Sequence, residues 1–290
     1  MTYRELYDYG AEELKKADIA EAALDARLLL EYICHTDRNA LLIHGESERS
    51  PLEEEFYKRT IEQRSTHIPL QHITGEQEFM GLSFRVNEHT LIPRQDTEIL
   101  VEEAMRHMGD GMRILDLCTG SGCIILSLLK YSNECEGNGI DISKDALLIA
   151  EENAKRLGVS AAFLEGDLFE PLESFVSDKT HDRLFDIVIS NPPYIASSVI
   201  PTLMPEVKDH EPLLALDGKA DGLYFYREII KKAPLYMRKG AMIFFEIGYD
   251  QADAVSVLLR ENGFGEIEVI KDYAGLDRVV KANLEGFKNV

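Results

Sequence analysis

Asn191-Pro192-Pro193-Tyr194 is the stretch of this sequence whose residue types most narrowly define a chemistry. It follows a strand-like apolar run, Leu184 to Ser190. The nitrogen of an amide or of a nucleobase amine is a weak nucleophile, because its lone pair is conjugated. Accepting hydrogen bonds from both of its N–H groups aims that lone pair at an electrophile. The Asn191 side-chain oxygen and the Pro192 carbonyl are two such acceptors. Neither proline has an N–H to compete, and Pro193 holds Pro192 extended. Tyr194 can stack on a flat acceptor group. The arrangement suits methyl transfer onto a planar NH2. A proline turn closing a strand explains Pro-Pro alone; all four residues after a buried strand favour the site.

Such a group has to be held by a sheet, and the sequence predicts one. From Arg113 onward, strand and helix patterns alternate. Strands are expected at Ile114–Leu117, up to Gly139-Ile140-Asp141, at Ala162-Phe163-Leu164, up to Asn191, at Ala241–Glu246, at Ile267–Ile270 and at Leu276–Lys281. Helices are expected after Gly122, over Lys144–Leu157, over Gly222–Tyr236 and over Gln251–Asn262. Regular alternation implies a mostly parallel sheet covered on both faces. The last two strands have no helix between them, so they should pair as a hairpin and make one strand antiparallel.

Ligands of open α/β sheets bind at the C-terminal ends of strands. Asp116, Asp141, Asp167 and Asn191 fall at four such ends. One Asp alone could be a helix cap; four in step beside the glycine loop Cys118-Thr119-Gly120-Ser121-Gly122 predict a ligand crevice. The loop resembles the start of a dinucleotide fingerprint, but Ile125 stands at the third glycine position. Asp116 would also set a carboxylate near a pyrophosphate. S-adenosylmethionine, which has no phosphate and carries a sulfonium and an ammonium, fits better. Glycines 120 and 122 would admit its methionine moiety, with Asp116 near the ammonium. Asp141 would accept from the ribose hydroxyls and Asp167 from the adenine amine, with Leu168 or Phe169 against the ring.

Composition bounds these readings. The chain has 290 residues, 45% hydrophobic and 29% charged, in keeping with an ordinary soluble protein. No apolar stretch approaches the roughly 20 residues that span a bilayer, and Met1–Glu5 has no apolar signal core, so the cytoplasm is the expected location. The four cysteines, Cys34, Cys118, Cys123 and Cys135, form no Cys-x-x-Cys pair and predict reduced thiols. His67 and His72 lack ligand partners in the pattern, and no metal is expected. A net charge of −21 argues against nucleic acid and favours a small cation or a basic protein.

The pattern divides the chain near residues 68–95. Residues 1–75 read as a small helical bundle, with stripes at Leu6, Tyr9 and Leu14, at Leu24, Leu28, Leu29, Tyr32 and Ile33, and a third helix opened by Pro51 through Phe56, Tyr57 and Ile61. Residues 76–95 read as a hairpin linker turning at Met80-Gly81, and residues 96–290 as the α/β domain. Asp96 or Thr97 is expected to cap the next helix, with Arg94 just before it reading equally as an anion contact or a loop cap. The connection from Tyr194 to Asp221 is long, carries Pro201, Pro205, Glu206, His210 and Pro212, and is expected to cover a substrate.

Taken together, Asp116–Gly122, Gly139-Ile140-Asp141-Ile142-Ser143, Gly166-Asp167-Leu168-Phe169 and Asn191-Pro192-Pro193-Tyr194-Ile195 resemble the HemK/PrmC family. The flanking segments Pro93–Glu98, Glu211–Gly218, Glu246–Gln251 and Ala274–Val280 match as well, and the resemblance spans nearly the whole chain. Members of that family methylate the glutamine of the Gly-Gly-Gln motif in peptide chain release factors. The resemblance implies a class I S-adenosylmethionine-dependent methyltransferase domain, a Rossmann-like seven-stranded sheet with its last strand antiparallel, behind a helical substrate-binding domain. It implies a cofactor site at Asp116, Cys118, Thr119, Gly120, Ser121, Gly122, Asp141, Asp167, Leu168 and Asn191. It implies catalysis and substrate binding by Asn191, Pro192 and Tyr194, with Pro193 in the substrate site, and a release factor as partner rather than nucleic acid or membrane. Cys118 stands where the family usually has Gly, Gln95 where it has Pro, and Leu168 where an aromatic is common. Two other readings share features: a DNA or RNA amino-methyltransferase, which would need a basic channel, and a non-catalytic cofactor-binding module, which would leave Asn191-Pro192-Pro193-Tyr194 unexplained.

Overall fold

A computed structural model of the chain describes residues 1–173 and 184–285. The chain forms two compact units: Met1–Glu76 with Met204–His210, and Gln77–Leu203 with Glu211–Val290.

The first unit is helical: α1 (Tyr3–Lys16), α2 (Ala22–Cys34), α3 (Arg38–Ile43), α4 (Pro51–Ser65) and α5 (Leu70–Thr74). Capping boxes start α1 at Thr2 with Glu5 and α4 at Ser50 with Glu53, each satisfying backbone donors a helix would otherwise leave open. Leu6, Leu14, Leu29, Leu30, Tyr57 and Ile61 form the core. Gly10 makes room for it, since a Cβ there would lie 2.0 Å from the Tyr57 hydroxyl, which donates to the Ala26 carbonyl at 3.1 Å. The expected α2 stripe is rotated. Leu24 and Tyr32 are exposed, and Asp25, Ala26, Leu29 and Leu30 face inward. Asp25 is there because Arg64 of α4 is: its Nε donates to Asp25 at 2.8 Å, and both side chains are buried. Arg64 also pairs with Glu206 at 3.1 Å, on the Met204–His210 segment.

The second unit opens with β1 (Glu76–Phe79) and β2 (Leu82–Arg85). Met80 and Gly81, at φ 53° and 69°, make the tight turn between them. This hairpin was expected as a linker, but Phe79 and Phe84 meet edge to face, 6.0 Å between centroids, inside the second unit's core. Helix α6 (Gln95–Met105) follows. Neither Asp96 nor Thr97 caps it, contrary to the sequence reading. Arg94 is the N-cap and makes no side-chain cap bond, while Thr97 lies within the first turn with its hydroxyl turned to Glu246.

Then the alternation unfolds: β3 (Arg113–Leu117), α7 (Cys123–Lys130), β4 (Glu136–Asp141), α8 (Lys144–Leu157), β5 (Ala162–Glu165) and β6 (Phe185–Ser190). The long connection holds two short helices, α9 (Pro205–Lys208) and α10 (Leu213–Leu216). After it come α11 (Tyr224–Lys232), β7 (Met237–Glu246), α12 (Ala252–Glu261), β8 (Phe264–Lys271) and β9 (Asp277–Leu284). The sheet order is β5-β4-β3-β6-β7-β9-β8. The pairs from β5 to β7 are parallel, and β9 runs antiparallel to both β7 and β8, as the missing helix predicts. The chain winds outward from β3 through β4 to β5, then returns to lay β6 on the other side of β3. That reversal opens a crevice at the C-terminal ends of β3 and β6. Among the described residues no helix is long and apolar enough to cross a membrane.

Candidate active site

A cavity of about 260 Å³ opens where the strands reverse. Its floor comes from strand ends, with Cys118 and Gly120 after β3, Asp141 closing β4, Asp167 and Leu168 after β5, and Asn191 and Pro193 after β6. Its walls include His89, Thr90 and Leu91 and also Pro212, Leu214 and Ala215 of the long connection.

The glycine loop is shaped by its neighbours. Gly120 and Gly122 sit at φ 55° and 77°, where a side chain is strained, and Gly122 starts α7. Cys118, at φ 60°, takes the same conformation without being glycine. Burial and the nearby Asp141 and Asp116 raise its thiol pKa. Fully buried Asn153 of α8 braces the loop from behind. Its Nδ2 donates to the Ser121 and Arg85 carbonyls at 3.0 and 3.1 Å, and its Oδ1 accepts from the Arg85 amide at 2.6 Å. The hairpin and the loop thus share one anchor.

Asp141 uses one oxygen to accept from the Gly120 amide at 2.8 Å and the other from the Ser143 amide at 2.9 Å. Burial raises its pKa, opposed by those amides. The Gly120 amide is thereby committed to a carboxylate, which leaves the loop a poor phosphate cradle. Both Asp141 oxygens retain a lone pair each for hydroxyls entering the cavity.

Asp116 departs from expectation. It is fully buried and absent from the cavity wall. One oxygen accepts from the Thr119 hydroxyl at 2.6 Å, and the other has no partner among the described residues. Burial pushes its pKa up to about 7 against the Thr119 bond. Asp116 lies inside β3, one residue short of the strand end, with Gly139 and Ile189 beside it. Thr119, Ser121 and Gly122 likewise shape the loop without lining the cavity.

Asn191 lines the cavity, and its Nδ2 donates to Thr97 Oγ1 at 3.3 Å. Its Oδ1 accepts nothing among the described residues. Pro192 is buried and Pro193 reaches the wall. Tyr194, expected to stack on the acceptor, turns away: its ring packs on the sheet core and its hydroxyl donates to Glu246 at 3.2 Å. Its backbone leaves no space, since a Cβ at Gly222 would lie 2.3 Å from its carbonyl oxygen and one at Gly218 2.8 Å from its Cα. Gln251 fixes that carbonyl with a 3.0 Å bond. The long connection closes on the same point, with Ile195 bonded to Leu216 and Gly218 back to Ile195. Arg94 is committed to buried Glu211, which also accepts from the Ile92 amide at 3.4 Å, so the two walls share a carboxylate.

Asn153, Glu211, Glu246 and Gln251 carried no assigned role in the sequence reading, and Thr97 only that of a helix cap. The carboxylate of Glu246 ends β7 just as Asp141 ends β4, and the strand-end pattern that flagged the aspartates could have flagged it. Among the described residues no group of three or more His, Cys, Asp or Glu could hold a metal, and the four cysteines are unpaired.

Known proteins resemble this chain in sequence and in fold. A family model described as the PrmC N-terminal domain matches residues 5–75, and one described as a methyltransferase domain matches residues 108–239. The release factor glutamine methyltransferase of Geobacter sulfurreducens is 38% identical over 279 residues, 96% of this chain and 95% of that protein. That of Clostridium acetobutylicum is 41% identical over 263 residues, 89% of this chain and 90% of that one. A methyltransferase crystal structure from Pyrococcus furiosus shares the fold, with a TM-score of 0.52 at 13% identity over 72% of this chain and 91% of that one. The second unit has the fold of S-adenosylmethionine-dependent methyltransferases.

Proposed function

The chain belongs to the release factor glutamine methyltransferase family, and from that premise we propose that it methylates the side-chain amide nitrogen of the glutamine in a release factor's Gly-Gly-Gln motif. The observation that carries the reading is Asn191-Pro192-Pro193-Tyr194 at the end of β6, with the Asn191 amide at the cavity wall and its oxygen unengaged. S-adenosylmethionine, when bound, supplies a methyl group on an electron-poor sulfur. The residues present fit it. Asp141 offers lone pairs to ribose hydroxyls, Leu168 and Ile142 offer an apolar wall to a ring, and the loop lacks the free Gly120 amide a phosphate would need.

The protein's part is positioning. Asn191 Oδ1 and the Pro192 carbonyl accept the two amide hydrogens of the glutamine, which leaves its lone pair as the group facing the methyl. The prolines supply no N–H to compete. His89, Leu91, Pro212 and Leu214 narrow the entrance and limit water. The amide nitrogen becomes acidic once it carries the methyl, and its proton passes to water. We propose the helical unit as the docking surface for the protein substrate. A short Gly-Gly-Gln segment offers few contacts, and a chain of net charge −21 complements a basic partner.

The test is acceptor class. The purified chain, given methyl-labelled cofactor, is offered intact release factor, a release factor with Gly-Gly-Ala, transfer RNA and duplex DNA. Label on the intact release factor alone is the expected outcome. Label on a nucleic acid, or undiminished label on the Gly-Gly-Ala protein, contradicts the reading.

A further inference from the structure

Behind the Asn191 amide stand two buried side chains, Thr97 and Glu246, each about 2% exposed. We infer that Thr97 is a positioning residue that sets which way the Asn191 amide faces. The inference rests on the methyl-transfer reading above.

Counting protons fixes the direction of each hydrogen bond. An ionised carboxylate only accepts hydrogen bonds, and a hydroxyl has one hydrogen to give. Thr97 Oγ1 lies 2.6 Å from Glu246 Oε2, so the Thr97 hydrogen goes to Glu246. Toward Asn191 the same oxygen then presents lone pairs only. The Asn191 amide has one end that can donate to them, Nδ2, which sits at 3.3 Å. Its oxygen is thereby turned to the opposite side. The flipped amide would set Oδ1 against the Thr97 lone pairs and present an NH2 to the NH2 of the acceptor, donor against donor. The cavity's preference for an NH2 acceptor is thus written two residues back from the site.

The relay is rigid at each link. Thr97 is β-branched and sits on the first turn of α6, so its rotamer is restricted. Glu246 ends β7, whose Phe245 pairs with Ser190 of β6 immediately before Asn191. Its Oε1 accepts from the Tyr194 hydroxyl at 3.2 Å, and its carbonyl accepts from the Tyr226 hydroxyl at 2.8 Å. Burial keeps water from substituting for any partner. The turned-in Tyr194 finds its purpose here, as a second hydrogen bond that holds the carboxylate in place.

Thr97→Val keeps the shape and removes the hydroxyl; Thr97→Ser keeps the hydroxyl. Four quantities are measured: kcat and KM on release factor, cofactor Kd by calorimetry, and solvent exchange of the Asn191 side-chain amide protons by NMR, assigned by their loss in Asn191→Ala. Thr97→Val is expected to lower kcat by about ten- to a hundredfold, with cofactor Kd close to the parent's. Its Asn191 amide protons should exchange at least about tenfold faster, the scale of one lost hydrogen bond. Thr97→Ser is expected to restore most of both. Parent-like turnover in Thr97→Val, equal loss in the two variants, unchanged amide exchange, or loss of cofactor binding together with turnover would each overturn the inference. A parent that methylates no glutamine would sink the functional reading instead, while the exchange contrast would still report the relay.

Discussion

Asp25 and Glu206 of the helical unit both meet one guanidinium, that of Arg64. In the sheet unit Asp116 and Glu246 are buried more deeply, and Asp141 sits at the cavity wall, yet these three meet hydroxyls and backbone amides. Among the described residues none of the three forms an ion pair. The titration shifts follow. Burial pushes Glu206 upward, but its backbone amide, His67 and Arg64 outweigh it and the pKa is lowered. Burial prevails at Asp141 and Glu246, and at Asp116, which is raised to about 7. The signs of the pH dependence are opposite. Glu206 contributes stability above its unfolded pKa that is lost as pH falls through the lower folded value. Asp116 does the reverse. Its contribution is whole below an unfolded pKa of about 3.9 and is lost as pH rises toward about 7. A carboxylate given a resident cation serves the fold. Of those given only neutral donors, Asp141 alone lines the cavity, where its oxygens can meet what enters.

The largest effect that tests this contrast is on stability. Arg64→Ala leaves Asp25 buried without its cation, and breaking a buried pair from one side costs about 3–5 kcal/mol. Denaturant unfolding should show that loss, with cofactor affinity close to the parent's. A cost of about 1 kcal/mol or less, the scale of an exposed pair, would mean that Arg64 and Asp25 act as surface groups and that the contrast is weaker than drawn.

Asp141→Ala should give the mirror image at smaller size. Removing a charged acceptor from the ribose hydroxyls costs about 1.5–3 kcal/mol, so S-adenosylmethionine affinity in a titration should fall roughly tenfold or more. The unfolding midpoint should move little. Unaltered affinity with a marked loss of stability would make Asp141 a loop anchor for Gly120 and place it with the helical unit's carboxylates.

How much of this could be read in advance divides along a physical line. Strand and helix order came through because the apolar period reports burial, and the antiparallel β9 because a missing crossover helix admits little else. That Asp141, Asp167 and Asn191 line one cavity could be read in advance, because strand ends in a parallel sheet share one edge. Asp116 misled because it lies one residue inside β3, and the pattern does not say which side of the sheet end a carboxylate faces. Tyr194 misled in the same manner: its ring packs on the sheet core and its hydroxyl meets Glu246, a partner 52 residues away that no local pattern announces. Thr97 looked like a helix cap because threonine before an apolar run usually is one. Its partner Glu246 lies 149 residues away, beyond the reach of any local pattern. The α2 stripe failed for a related reason, since Leu24 and Asp25 exchanged the sides their hydrophobicity suggests once Arg64 was there to receive the acid.

The central claim is a division of labour along one sheet edge, with Asp141 holding cofactor and Asn191 aiming the acceptor. Asn191→Ala tests it most directly, with kcat on intact release factor at saturating cofactor measured beside cofactor Kd on the same preparation. kcat is expected to fall by at least about a hundredfold, the scale of losing a positioning or electrostatic contact, while Kd changes far less. Lost cofactor binding with normal turnover at saturation would contradict it.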